Sequence, residues 1–207
     1  MKSKYTDSVF LNVPFDNPYK RIFHALIFAV YDCGLVARCA LEENNGLNVR
    51  IDKIYNIISQ CKYGIHDISR TELDDTNKLP RFNMPLELGI FLGAKHFGRT
   101  NHRAKEGLIL DKKPYRYQIF CSDIGGQDPR SHNNKPQDAI LCVRAWIDSS
   151  QGMNKLTLPG GQHIYKRYNQ FRKDLPILCK KKKLKIRDLT FNDYSIFVIG
   201  WLRIHHR

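Results

Sequence analysis

Ser8-Val9-Phe10-Leu11-Asn12-Val13 is the stretch that decides the fold, because it is an apolar run of the length of a buried strand and Pro14 stops it. Apolar residues then recur at helical spacing over residues 19–33, and Gly34 ends that helix. Another apolar run follows at 35–41. A strand, a helix and a second strand in this order are typical of a parallel α/β sheet.

The same alternation continues along the chain. A second helix is predicted over 49–60, a third strand over 63–68 and a fourth strand over 107–110. We expect Asn83 to cap a third helix, with Pro85 tolerated in its first turn, and Gly89 and Gly93 to let that helix approach a neighbour closely. The sequence therefore predicts an open, flavodoxin-like, doubly wound parallel sheet of about five strands, with ligands at the carboxyl ends of the strands.

The second half of the chain predicts fewer strands and more helices. A helix is expected over 115–124, an edge strand over 128–132, and further helices over 136–147, 165–179 and 191–204. Pro159-Gly160-Gly161 is the most credible boundary. We therefore divide the chain into an α/β domain, residues 1–158, and a basic helical C-terminal cap, residues 159–207.

The formal charge of +14 is concentrated towards the C-terminal end of the chain. Residues 151–207 hold 13 Lys/Arg against 3 Asp/Glu, a net of +10, with a dense run at Lys180, Lys181, Lys182 and Lys183. Such a run could bind nucleic acid through phosphates, although no base-stacking aromatic lies within it. A solvated helix end or a contact with an acidic protein explains it equally, so nucleic acid is a possible partner but not the favoured one.

Several classes of protein are not expected from this sequence. No apolar run approaches the roughly 20 residues of a membrane helix, and the N-terminus lacks the apolar core of a signal peptide, so we expect a cytoplasmic protein that does not contact a membrane. The six cysteines form no C-x-x-C pair and are predicted to be buried free thiols. Glycine-rich phosphate loops and H-E-x-x-H are absent, and no metal or cofactor is expected.

Polar residues converge on one rim of the predicted sheet. The first strand leads into Asn12, Pro14 and Phe15, the third ends at His66 and Asp67, and the third helix starts with Asn83, Met84 and Glu87. We expect these residues to line one substrate pocket.

Glu87 is the most informative of these residues, because it lies between Leu86 and Leu88 near the start of a helix. A carboxylate on a pocket floor could attack or stabilise an oxocarbenium-like sugar centre. The alternative is a glutamate that only complements the helix dipole. Asp67 would be a second carboxylate that holds a ribose hydroxyl or positions water, or else a solvated acid that caps the next turn.

A second polar cluster lies around Gly125-Gly126. Asp123, Gln127 and Asp128 are expected to contact a sugar, a base or a partner subunit, since glycine lets a backbone approach a ligand closely. A turn with Asx-type self-hydrogen bonding is the alternative. Arg130 and His132, just beyond, could serve a phosphate.

Asn83-Met84-Pro85-Leu86-Glu87-Leu88-Gly89, placed after a strand that ends Ile65-His66-Asp67-Ile68, resembles the nucleoside 2-deoxyribosyltransferase-like proteins and the related bacterial TIR domains. The resemblance covers residues 8–111, about half of the chain. It implies that Glu87 is the nucleophile at the sugar C1′ and that Asp67 matches an aspartate at the end of the preceding strand. Arg81-Phe82-Asn83-Met84-Pro85 stands where the transferases have an aspartate and a Gly-Thr pair.

This resemblance implies cleavage of an N-glycosidic bond in a nucleotide, nucleoside or NAD-like substrate, in an assembly of identical subunits. It also implies a role as a bacterial antiphage defence effector that depletes nucleotides. The alternative is a non-catalytic module that senses a nucleotide or binds a protein through the same pocket. A third reading makes the sheet a scaffold for a cap that binds nucleic acid or a partner protein.

Overall fold

The computed structural model of the protein describes residues 3–43, 45–47, 49–73, 78–150 and 157–205. Within these ranges the chain forms a five-stranded, fully parallel sheet in the order β2-β1-β3-β4-β5. The flavodoxin-like, doubly wound α/β fold predicted from the alternation of runs is therefore confirmed. The strands are β1 (Ser8–Asn12), β2 (Val36–Arg38), β3 (Tyr63–Asp67), β4 (Glu106–Asp111) and β5 (Arg130–Ser131).

Seven α-helices lie in the same described ranges. The predicted bounds agree closely for the first, second and last helices, and Gly34 ends the first with a left-handed φ of 81°. The sixth begins earlier than expected, at Gly161. The helices are α1 (Lys20–Asp32), α2 (Arg50–Gln60), α3 (Asn83–Phe97), α4 (Thr100–Arg103), α5 (Pro136–Ser149), α6 (Gly161–Lys181) and α7 (Phe191–Ile204).

The helices cover the two faces of the sheet unequally. Val9 and Leu11 of β1 share a buried cluster with α1 and α5, whereas Phe10 between them packs with Ile54 of α2 and Phe91 of α3. Alternation of side chains along each strand produces this division, since neighbouring residues of a strand point to opposite faces. We call these the α1 face and the α3 face.

The C-terminal helices form a further layer on α1. The ring of Phe28 lies 5.5–5.9 Å from the rings of Tyr168, Phe171 and Trp201, and Arg167 pairs with Asp32 at 2.9 Å. Residues of α6 and α7 belong to the same buried cluster as β1 and α1. The predicted cap thus shares its core with the α/β part of the chain.

Three local predictions are wrong. Phe82, not Asn83, is the N-cap residue of α3, and its side chain makes no capping hydrogen bond. A Cβ at Gly89 or Gly93 would meet nothing within 4 Å, so these glycines serve no close helix contact. Residues 115–124 form two short 3-10 turns, Arg116–Ile119 and Ser122–Ile124, instead of one helix.

The remaining surface and core features are simple. All six cysteines are free, four of them buried and Cys121 and Cys142 half-buried. Lys180, Lys181, Lys182 and Lys183 are exposed at the end of α6. Among the described residues, no helix is both long enough and apolar enough to cross a membrane.

Candidate functional site

The carboxyl ends of β1 and β3 lie side by side at the point where the chain order of the sheet reverses. The chain runs from β1 outward to β2 and then returns past β1 to β3, so the loops that follow β1 and β3 diverge here. Open α/β sheets bind ligands in the crevice that this divergence leaves. The predicted location of the site therefore exists in the structure.

Asn12 ties the three elements of this rim together. Its amide Nδ2 donates to the carbonyl of Met84 at 2.8 Å and lies 3.1 Å from Nδ1 of His66. The side chain is 2% exposed. The end of β1 is thus bonded both to the first turn of α3 and to the neighbouring strand, and Met84, 9% exposed, is held against it.

Glu87 is the fifth residue of α3 and lies in its second turn, not in its first. It is 7% exposed and points to the same side of the helix as Met84 and Phe91. Burial raises the pKa of its carboxyl to about 7, and Arg50 at the start of α2 opposes this shift only in part. No hydrogen bond or ion pair joins the carboxyl to another described residue.

A buried carboxyl without a partner is costly, because burial disfavours the charged form unless a cation or donors compensate for it. Carboxyls in this condition are more common at active sites than in structural cores. The position of Glu87 on a regular helix and its burial therefore favour a functional role over simple complementation of the helix dipole.

Asp67 lies on the opposite face of the sheet from Glu87. It is fully buried, and its carboxylate accepts hydrogen bonds from the Tyr19 hydroxyl at 2.6 Å and from the backbone N–H of Ser69 at 2.9 Å. His132 Nε2 lies 3.0 Å away, although its ring N–H is not aligned for a hydrogen bond. Tyr19 precedes α1 and His132 precedes α5, so this network belongs to the α1 face.

The environment of Asp67 keeps the residue ionised. Burial alone would raise its pKa, but the contact with His132 and the hydrogen bonds from Ser69 and Tyr19 together hold the pKa below its usual range. Neither Asp67 nor His132 has solvent exposure in this structure, and His132 Nδ1 accepts from the backbone N–H of Asn134. Asp67 therefore holds together the three segments that contain Tyr19, Ser69 and His132. His132 is fully buried and has no surface at which a phosphate could bind.

The loops of the rim are joined by charged pairs that the sequence did not predict. Asp16 in the β1–α1 loop accepts two bonds from Arg70 in the β3–α3 loop, at 2.9 and 3.0 Å. Asp111 at the end of β4 accepts from Arg116 at 2.6 and 2.9 Å, and Arg116 also donates to Thr71 Oγ1 at 2.9 Å. The pairs that join two loops, Asp16–Arg70 and Thr71–Arg116, are 54 and 45 residues apart in the sequence, so no local motif reveals them.

The other predicted site residues separate into distinct places. Pro14 is buried, and Phe15 is 37% exposed with its ring against Phe23 on the α1 face. Asn83 is exposed in the first turn of α3, and Asp123 is exposed on a 3-10 turn. His66, Gln127 and Asp128 lie together at a cavity of about 400 Å³ beside the edge of β4.

The structure thus brings Asn12, Met84 and His66 into contact at the rim and places Glu87 one helical turn beyond Met84 on the same side of α3, while Asp67 faces away. Across the described ranges, no group of three or more His, Cys, Asp or Glu side chains is arranged to hold a metal ion. Comparison of the chain with models of protein families, with curated proteins and with solved structures found no match.

Proposed function

We propose that this protein cleaves an N-glycosidic bond in a nucleotide, nucleoside or NAD-like substrate at the rim beside Glu87. The observation that carries the proposal is the buried, unpaired carboxyl of Glu87 at the switch point of a flavodoxin-like sheet, with its pKa raised to about 7. The resemblance of residues 83–89 to the deoxyribosyltransferase-like motif supports the same choice of residue.

In the proposed reaction the bond from the sugar C1′ to the base nitrogen breaks, and its electron pair leaves with the base. The Glu87 carboxylate faces C1′ and either bonds to it or stabilises the positive charge that develops on the sugar. Water then attacks C1′; if Glu87 has bonded to C1′, that bond breaks and the carboxylate is regenerated, and the proton that the water loses passes to the departed base or to solvent. The products are the free base and the sugar with a hydroxyl at C1′, so no oxidant, metal or further group is required.

The charge state of Glu87 gives the proposal a pH dependence. A nucleophile or a cation stabiliser must be ionised, and a pKa of about 7 leaves only part of the enzyme ionised at neutral pH. We therefore expect kcat/KM to rise with pH through about 7 and then to level off. A rate that falls over the same range would instead assign Glu87 as a general acid.

Asp67 has a supporting part in this proposal. Through Tyr19 and His132 it fixes the β1–α1 loop and the turn before α5 against the end of β3. The Asp16–Arg70 pair joins the two loops of the crevice. These ties would hold the rim in a fixed shape around Glu87, which is how a supporting shell limits the motion of a reacting group.

The test is to incubate the protein with NAD and with a panel of nucleosides and nucleotides, and to follow released base by chromatography. We expect release from at least one substrate and a loss of at least 100-fold in Glu87→Gln. Glu43→Gln, which changes an exposed glutamate, is the matched control and should retain full activity. Equal rates in Glu87→Gln and the unaltered protein would remove Glu87 from the mechanism.

A second candidate is nucleotide binding without turnover. The observation that favours it is the burial of Asp67 on the α1 face, where it is bonded to Tyr19. The rim then has only one of the two predicted carboxylates, that of Glu87. Isothermal titration with the same panel separates the two candidates. Saturable binding of a nucleotide together with no release of base, at any pH between 6 and 9, would favour the binding module.

A further inference from the structure

A cavity of about 400 Å³ lies between α3 and the open edge of β4. It exists because β5 is only two residues long and pairs with Leu110 and Asp111, which leaves the first part of β4 without a neighbouring strand on that side. Gly107 is exposed at this edge. Leu92 of α3 and Trp146 of α5 both line the cavity.

A buried imidazole, that of His66, is among the residues that line this cavity. His66 has no solvent exposure, and its Nε2 has no hydrogen-bond partner among the described residues. The Nε2 edge of the ring faces Gly64 and Gly107, since a Cβ at Gly64 would fall 2.5 Å from Nε2 and one at Gly107 would fall 3.9 Å from Cδ2. Gly107 and His66 both line the cavity, so the Cδ2–Nε2 edge of the ring borders it.

The protonation of His66 is fixed by its other nitrogen. The Met84 carbonyl can only accept, so the Asn12 amide must present its Nδ2 to it. The same Nδ2 faces His66 Nδ1, so His66 Nδ1 accepts a hydrogen bond from Asn12. In a neutral ring the proton is then on Nε2. Burial and the nearby Lys105 lower the pKa of His66 to about 3, which keeps the ring neutral at ordinary pH.

A buried donor without an acceptor costs the free energy of its lost hydration, and proteins retain few of them. Here the donor lies beside a cavity with apolar walls from Leu88, Leu92, Ile109 and Trp146. The exposed residues at its mouth are Lys95, Gln127 and Asp128, and Glu106, which pairs with Lys62, also lines the cavity, so charges of both signs surround the opening. This combination suits an uncharged ligand that carries one hydrogen-bond acceptor on an apolar body.

We infer that this cavity is a second binding site, separate from Glu87, for an uncharged heteroaromatic molecule of nucleobase size that accepts a hydrogen bond from His66 Nε2. A ring of this class offers an apolar body to Leu92 and Trp146 and a carbonyl or ring nitrogen to the donor. Its polar substituents would reach the Gln127 amide at the mouth. Among the described residues, Glu87 does not line the cavity, so binding here does not require catalysis at the rim.

The experiment follows the imidazole Nε2 signal of His66 by ¹H–¹⁵N NMR, with the signal assigned by its loss in His66→Phe. Nicotinamide, adenine, hypoxanthine and uracil are each added alone to the full chain. We expect at least one of them to shift the signal in a saturable way. If none does so up to its solubility limit, the inference is overturned.

Two variants locate the bound molecule. Gly107→Leu places a side chain in the cavity, where the first added carbon makes only ordinary contacts at 3.6 Å, and should weaken binding at least tenfold. Gly200→Leu is the matched control, since a Cβ there meets nothing within 4 Å and the position lies on α7; its affinity should be unchanged. Equal binding in Gly107→Leu would refute the site.

His66→Phe removes the donor and retains the ring, and binding measured by titration should weaken about five- to tenfold, as for one neutral hydrogen bond. If His66→Phe fails to fold because it loses the contact with Asn12, Gly107→Leu still tests the inference. Glu87→Gln should leave the NMR shift intact. A shift that disappears in Glu87→Gln would place the molecule at the rim and overturn the inference, whereas loss of base release alone in that variant leaves it standing.

Discussion

Changing Glu87 to glutamine should make the protein more stable at alkaline pH, and this can be measured before any substrate is known. Burial raises the pKa of the carboxyl from its ordinary value of 4.5 to about 7. The folded protein therefore holds a proton that the unfolded chain has lost between these two values. Stability contributed at this position is present at pH 4.5 and below, and it is lost as the pH rises through 7.

The magnitude follows from the size of the pKa change. A rise from 4.5 to about 7 corresponds to about 3 kcal/mol between the fully protonated and fully ionised forms. The residue is 7% exposed, and solvent screening lowers the expected value to about 2 kcal/mol. An amide cannot ionise, so Glu87→Gln should gain about 2 kcal/mol over the unaltered protein when the pH is changed from 5 to 8.

Urea unfolding at pH 5, 6, 7 and 8 measures this change, because the difference between two pH values cancels any constant cost of the amide. Glu43→Gln is the matched control at an exposed site and should follow the unaltered protein at every pH. A constant free-energy difference between Glu87→Gln and the unaltered protein from pH 5 to pH 8 would show that the carboxyl titrates as in water. Glu87 would then not be a carboxyl whose pKa is raised by burial, and it would lose its assignment as a functional group.

Three further predictions concern stability and are measured by urea unfolding at pH 7. Arg116→Met should destabilise the protein by about 3 kcal/mol because it leaves Asp111 buried without its cation, and adding Asp111→Asn should restore part of that loss. Thr190→Ala should cost about 1 kcal/mol because it breaks the capping box of α7. Gly64→Ala should cost about 1–3 kcal/mol because its Cβ would lie 2.5 Å from His66 and 2.9 Å from Phe91, whereas Gly107→Ala, the paired position on β4, meets only ordinary contacts and should cost less than half as much. Equal costs for the two alanines, no recovery in the Arg116→Met double variant, or an unchanged midpoint in Thr190→Ala would each contradict the corresponding contact.

The order of strands and helices could be predicted because burial on both faces of a parallel sheet leaves continuous apolar runs in the sequence. The bounds of the edge strands could not. Residues 35–41 form an apolar run, yet only Val36–Arg38 pair, and β5 is two residues long. An edge strand ends where the neighbouring strand no longer offers hydrogen-bond partners. Its length therefore depends on tertiary structure more than on the length of the apolar run in the sequence.

Residues 115–124 show how distant contacts override a local pattern. Their apolar spacing predicts a helix, but Tyr115 adopts a left-handed φ of 57° and two 3-10 turns follow. Arg116 is bonded to Asp111, to Thr71 and to the carbonyl of Ile68. Two of these partners come from the β3–α3 loop, which no periodicity within 115–124 encodes.

The predicted site conflicts with strand geometry at His66 and Asp67, which are neighbours on β3. The sequence predicts His66 and Asp67 in one pocket, although adjacent residues of a strand point to opposite faces of a sheet. Only one of the two could share a face with Glu87, and the choice depends on which helices cover which face. In the structure His66 packs against Phe91 of α3, with ring centroids 4.6 Å apart, and Asp67 faces Tyr19.

Asp67 and Glu87, two buried carboxyls near the rim, differ in how they are satisfied. Asp67 receives two hydrogen bonds and a close imidazole, which is how a carboxylate is held when it stabilises a fold. His66 Nε2 is buried without a hydrogen-bond partner among the described residues. The Glu87 side chain is 7% exposed, and no hydrogen bond or ion pair joins its carboxyl to another described residue. Asp67 is thus satisfied by its neighbours, whereas Glu87 is not. Burial of the Glu87 carboxyl costs free energy that the fold does not recover through a hydrogen bond or an ion pair. Such local conflicts are expected where function, not stability, selects the residue, so Glu87 is the side chain from which a search for ligands should start.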